Sequence, residues 1–204
     1  MPSTEQSQPE PEPRRAWLVA GLLVAVVGIA AIVAIPPWLA SEEAAGCIAT
    51  SEDLQAFTPT ETPPAVPTAP MALGDGSTRT LADYAGRGVL LNFWATWCAP
   101  CVREMPELDR LNAKLKGDGI DVLTVSQDRA GFKVIDKFFD ANKLRNLERL
   151  HDPGGKLARG FKLRGLPTTI FINAKGLEVG RIAGIAEYDT PVMQAFARRC
   201  LSPG

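Results

Sequence analysis

Histidine is almost missing from this chain of 204 residues, where His151 stands alone. One imidazole and four cysteines provide no second ligand pair at the spacing that zinc requires. A closely spaced cysteine pair is therefore read as a redox pair rather than half of a zinc knuckle. Excess charge is missing too. The 22 Lys and Arg balance 23 Asp and Glu to a net charge of −1, with no basic cluster, which argues against a nucleic-acid partner. No internal repeat is present. At 46% hydrophobic and 22% charged, the composition suits one globular domain with extra segments.

The first extra segment is the uncharged run 16–35. About 20 helical residues span roughly 30 Å, the hydrocarbon thickness of a bilayer, so the run predicts one N-terminal transmembrane helix. Arg14 and Arg15 precede it and Glu42 and Glu43 follow it. The positive-inside rule then leaves residues 1–15 as a disordered cytoplasmic tail and places the rest outside the cytoplasm, behind a single membrane pass. A cleaved signal peptide, a lipoprotein site at Cys47 or a twin-arginine signal at Arg14-Arg15 would change the route and keep the same compartment. Residues 36–70 predict a short helix from Ser41 to Phe57, then a Pro/Thr-rich stretch. That stretch is either a semi-extended linker or an edge wrapped on the domain.

The domain proper is expected over 71–204. A small hairpin turning at Asp75-Gly76-Ser77 leads to a short helix, Leu81 to Tyr84. A buried strand (89–95), a long helix (98–116) and a second apolar strand (120–126) imply a right-handed parallel crossover. A helix over 132–141, a strand near 147–151, a short helix and an antiparallel pair at 168–173 and 177–182 follow. A last helix runs from Thr190 to Cys200. The class is α/β, a mixed central sheet flanked by helices.

The chemistry sits at Trp97-Cys98-Ala99-Pro100-Cys101, where the first strand becomes the long helix. Unpaired N–H groups and the helix dipole lower the pKa of a thiol on that first turn. Cys98 is the expected nucleophile, and Cys101, one turn along and more buried, resolves the mixed disulfide. Pro100 suits the first helical turn and stiffens the pair. Strand alternation buries Trp94 and leaves Trp97 for the partner-facing rim. Glu104, three residues after Cys101, has two readings. It acts on the sulfurs, by shuttling the resolving thiol's proton or by raising the cysteine pKa values, or it is a solvated carboxylate at a helix start. Asp128 and Arg129 read as a loop ion pair, and His151 as an ordinary polar contact. No metal or organic cofactor is implied.

Phe93 to Cys101, followed by Pro106, resembles the thioredoxin superfamily, and Gly165-Leu166-Pro167-Thr168-Thr169 resembles its cis-proline loop. The order of elements fits over about 71–200. The membrane segment, Asn92 in place of a buried acid, Glu104 and Ser126-Gln127-Asp128-Arg129 are similar to the membrane-anchored TlpA branch, whose relatives include the ResA and CcmG reductases. The resemblance implies a thioredoxin-like fold and a cis bond before Pro167, with Leu166 and Pro167 facing the sulfurs and receiving a substrate strand. It also implies a single-pass protein of the inner membrane whose domain faces the periplasm, a thiol:disulfide reductase fed by a membrane dithiol donor. Its clients would be disulfide-containing exported proteins: a copper chaperone, an oxidase subunit or an apocytochrome c. Thr168-Thr169, where CcmG-type proteins tend to be acidic, argues against a dedicated apocytochrome role. A disulfide oxidase or isomerase and a copper-binding chaperone are the alternatives. Cys47 and Cys200 are expected to form a structural disulfide in an oxidising compartment, the alternative being a lipidated Cys47 and a lone Cys200.

Overall fold

Seven consecutive residues without an exposed member, Gly88–Trp94, form the centre of the sheet. The computed structural model describes residue 54 and residues 56–202. The strands are β1 (Phe57–Pro59), β2 (Met71–Ala72), β3 (Thr78–Arg79), β4 (Gly88–Trp94), β5 (Ile120–Ser126), β6 (Arg149–His151), β7 (Thr168–Ile172) and β8 (Glu178–Ala183). The helices are α1 (Ala99–Leu115), α2 (Phe132–Ala141), α3 (Lys156–Gly160) and α4 (Pro191–Leu201). Sheet order is β1-β8-β7-β4-β5-β6-β2-β3. β4, β5 and β6 run parallel, and β7 runs antiparallel on the other flank of β4. The expected mixed sheet is present.

Total burial of β4 follows from cover on both faces. Successive side chains alternate. Leu90 and Trp94 join one cluster with Leu108 of α1, Phe139 of α2 and Phe196 of α4. Val89, Leu91 and Phe93 join the other with Leu81, Leu157 of α3 and Phe161. Asn92 falls in the first register, opposite Thr124 on β5 and Thr169 on β7. A row of three buried polar residues thus crosses the sheet on the face α1 covers. Gly88 is required where α4 ends, because a Cβ there would stand 2.4 Å from the Leu201 carbonyl oxygen.

The stretch expected as a linker or a wrapped edge contributes β1, which pairs with β8 in the register Phe57↔Ile182. Ala65 makes a further bridge to Leu177. Phe57 is expected at the end of a helix and is instead strand. Its ring meets those of Phe171 and Phe196 edge-on, at centroid distances of 5.2 and 4.7 Å. Burial of this aromatic outweighs the weak helix signal before it. The expected membrane span, the tail, Cys47 and nearly all of the helix from Ser41 lie outside the described residues. Among the described residues no helix is long and apolar enough to cross a membrane.

Truncating Phe57 to Ala should lower the unfolding free energy by about 3 kcal/mol, measured by urea denaturation of the full-length chain. A change within about 0.5 kcal/mol would make β1 peripheral to the core.

Candidate active site

Parallel β4 and β5 end on the same side of the sheet, and the loops leaving them meet there. Beyond Trp94 the chain turns through buried Ala95, where the Cys98 N–H donates to the Ala95 carbonyl at 3.1 Å. Asp128, just past β5 and only 3% exposed, holds this turn. Its carboxylate accepts from the Thr96 N–H at 2.9 Å, the Thr96 hydroxyl at 2.7 Å and the Ser126 hydroxyl at 2.8 Å. It makes no ion pair with Arg129 among the described residues, so the expected pair is corrected. Unpaired donors in the turn, rather than the adjacent cation, fix this carboxylate. His151 makes a polar contact, its Nε2 lying 2.9 Å from the Asp128 carbonyl oxygen.

Cys98 is the N-cap of α1, and the Cys101 N–H donates to its sulfur at 3.3 Å. Pro100 occupies the first turn, where its missing N–H has no helical role. Cys98 and Cys101 form a disulfide, with Cα atoms 5.2 Å apart. Cys101 is 1% exposed and Cys98 7%. Trp97 stands out at 70% exposed, whereas Trp94 is fully buried beside Phe138 and Phe139. The Leu166–Pro167 bond is cis. Leu166 packs against the cluster that contains both cysteines. Cys200 is not a free thiol. Cys47, the partner expected for it, lies outside the described residues.

Glu104 is buried, which removes the reading of a solvated helix-start carboxylate. Its Oε1 accepts from the Ala186 N–H at 2.9 Å, while Oε2 is buried without a hydrogen-bond partner. Burial, with a smaller contribution from neighbouring Glu107, pushes this carboxyl up to about 7. Nearby, Asn92 Nδ2 donates to the Thr169 hydroxyl at 2.9 Å, and Thr169 shares a 2.6 Å hydrogen bond with the phenol of fully buried Tyr188. Burial first, and the Glu104 charge second, push the Tyr188 phenol up. The side-chain oxygens of Asn92 and Thr124 are also buried without partners.

A family model described as the AhpC/TSA family matches residues 64–177. The chain belongs to the AhpC/TSA family. Over 102 residues, half of this chain, it is 42% identical to the thiol-disulfide oxidoreductase ResA of Oceanobacillus iheyensis. That match spans 52% of the relative's length. The thiol:disulfide interchange protein DsbE of Chlorobium tepidum superposes with a TM-score of 0.59 at 27% identity, covering 68% of this chain and 97% of that one. The exposed lipoprotein thioredoxin of Streptococcus pneumoniae superposes with a TM-score of 0.54 at 32% identity, covering 62% and 96%. The thioredoxin-like expectation holds across the matched domain.

Asp128 as a clamp, and Thr169 and Tyr188 beside Asn92, escaped the sequence reading. Their partners lie 32, 77 and 19 residues away, beyond any local pattern. Glu104 left a signal, since it precedes Leu108 by one helical turn on the buried face of α1.

The Glu104 shift has a defined sign. An unfolded chain ionises this group near 4.5, whereas the folded one keeps the proton up to about 7. Stability is therefore undiminished below the unfolded value, falls as pH rises between the two, and levels off above. Glu104→Gln should flatten that fall, measured as the thermal midpoint of the oxidised chain across this range. An unchanged slope would rule out Glu104 as its source. Asp128→Ala leaves the Thr96 donors unpaired and should cost about 2–3 kcal/mol in denaturant unfolding.

Proposed function

We propose that this chain is a membrane-anchored thiol:disulfide reductase acting on exported proteins outside the cytoplasm. The observation that carries the reading is a disulfide placed across the first turn of a 17-residue helix, with Cys98 as its N-cap. The positive end of the helix dipole and the Cys101 N–H favour sulfur as thiolate at Cys98 over sulfur as thiol.

In the reduced protein the Cys98 thiolate attacks one sulfur of the client disulfide, and the other client sulfur leaves as a thiolate. Cys101, after losing its proton, attacks the Cys98 side of the mixed disulfide and releases the second client thiolate. Two electrons pass to the client, the Cys98–Cys101 disulfide forms, and two protons complete the client thiols. Glu104, a turn beyond Cys101 and poised near neutrality, is the group assigned to take the Cys101 proton. Trp97, Pro100, Leu166 and Pro167 form the surface that meets the client. The Leu166 N–H and C=O have no hydrogen-bond partner among the described residues, which suits them to an added strand.

The run 16–35 serves in this reading as the anchor, and a membrane dithiol donor restores the reduced pair. Clients in cytochrome oxidase copper-centre assembly or cytochrome c biogenesis fit the branch the chain resembles. A Cys47–Cys200 bridge would tie the segment after the membrane to α4.

The test is the equilibrium reduction potential of Cys98–Cys101 in the full-length chain, with Cys200 followed separately by alkylation and mass. A value near about −270 mV supports a reductase, and one near about −120 mV replaces it with a disulfide-forming enzyme.

A further inference from the structure

A cavity of about 670 Å³ opens beside the proline loop, on the sheet face opposite α1. Buried Phe161 and Pro167 and half-buried Leu163 line it, giving a mainly apolar wall. Exposed Lys162 and Arg164 stand on the same lining. Neither makes a side-chain hydrogen bond or ion pair among the described residues. The third cation, Arg181, is satisfied by Glu178 at 2.6 Å and by the Phe161 carbonyl at 3.1 Å. Among the described residues no carboxylate lines the cavity. Lys162 also sits just past α3 with φ of 53°, in the left-handed region where glycine would be the more stable residue. The fold thus carries two uncompensated positive charges at the mouth of an apolar cavity that runs up to Pro167.

We propose that this cavity is a specificity site for the client, and that it takes an acidic, extended segment flanking the client disulfide. An apolar side chain of that segment enters between Phe161, Leu163 and Pro167. Carboxylates on either side of it pair with Lys162 and Arg164. The unpartnered backbone of Leu166 leads from the cavity toward the cysteines and sets the direction of the segment. Charge complementarity chooses this occupant, since a basic segment would meet only like charge. The inference rests on the reductase reading and adds to it a class of client.

The test uses the full-length chain in non-ionic detergent, reduced beforehand and freed of reductant. The probes are two synthetic peptides, each closed by one disulfide and carrying a leucine beside it. One is flanked by glutamates and the other by lysines. Each turnover moves two electrons from the Cys98/Cys101 dithiol to the peptide disulfide, and the two protons of the dithiol end on the peptide thiols. The second-order rate of protein oxidation is read by alkylation and mass, relative to the rate with neutral 2,2′-dipyridyl disulfide.

The glutamate peptide should react about tenfold faster than the lysine peptide at low salt, and the gap should close at high salt. In the doubly substituted Lys162→Glu, Arg164→Glu chain the preference should reverse. Serine in place of the leucine should slow the glutamate peptide severalfold. Equal rates for the two peptides, or a preference that survives charge reversal, would overturn the proposal. A serine peptide as fast as its leucine parent would remove the cavity from it. Failure to react even with dipyridyl disulfide would overturn the reductase reading, and the client class with it.

Discussion

Everything near the cysteines depends on β4 being buried along its whole length. A strand covered on both faces cannot shift its register without turning polar Asn92 into one cluster and apolar Val89, Leu91 and Phe93 into the other. That fixes the height at which the chain leaves the sheet after Trp94, and so the place where α1 begins. The parallel neighbour β5 delivers Asp128 to the same end. The antiparallel neighbour β7 starts there, directly after Pro167. Three chain segments thus converge at one edge of the sheet by topology alone. Asp128 then makes the convergence rigid, because its carboxylate binds a backbone N–H of the segment that leads into Cys98.

The core beneath α1 is costly by design of its residues. Asn92, Thr124 and Thr169 stand side by side in register, and Tyr188 closes over Thr169. Burying polar groups is unfavourable unless they are paired, and oxygens of Asn92, Thr124 and Glu104 are not. Apolar residues of the same size would pack there without that penalty. What burial beneath α1 does give is a site poorly solvated by water, in which the neutral form of Glu104 is favoured. Glu104 holds its proton to about 7, and its ionised form raises the Tyr188 phenol in turn. A proton can therefore reside on Glu104 near neutral pH, one helical turn from the buried sulfur, where an exposed carboxylate would already have lost it.

The sequence makes legible what is written in short range. Apolar runs gave β4 and β5 within a residue of their observed limits, and α2 at its observed limits. Cys98, Cys101 and Pro167 were legible because each motif is contiguous. Phe57 was harder. Its alanine-rich, acidic approach reads as helix, yet two aromatic contacts, with Phe171 and with Phe196, draw it into the sheet. Asp128 was misread because its sequence neighbour is a cation, while its spatial neighbours are the Thr96 donors 32 residues earlier. Tyr188 had no periodic partner at all, since it lies in the connection between β8 and α4. Local chemistry names the reacting atoms, and long-range pairing decides their environment.

In the proposed reading, the determinants of reactivity and of recognition occupy different parts of this fold. The helix start, the Asp128 clamp and the Glu104 layer are buried and belong to the sheet and α1, so a change there alters stability as well as chemistry. Trp97, Lys162, Arg164 and Gly165 are exposed and sit on connections that end against the same edge. Their side chains can vary in size and charge without disturbing the core, because no side-chain hydrogen bond or ion pair ties them to a buried group among the described residues. One scaffold with a fixed dithiol can therefore serve clients of different surface chemistry. The physical basis proposed is that electron exchange depends on the sulfur atoms and the buried groups beneath them, whereas client choice depends on the surface around them.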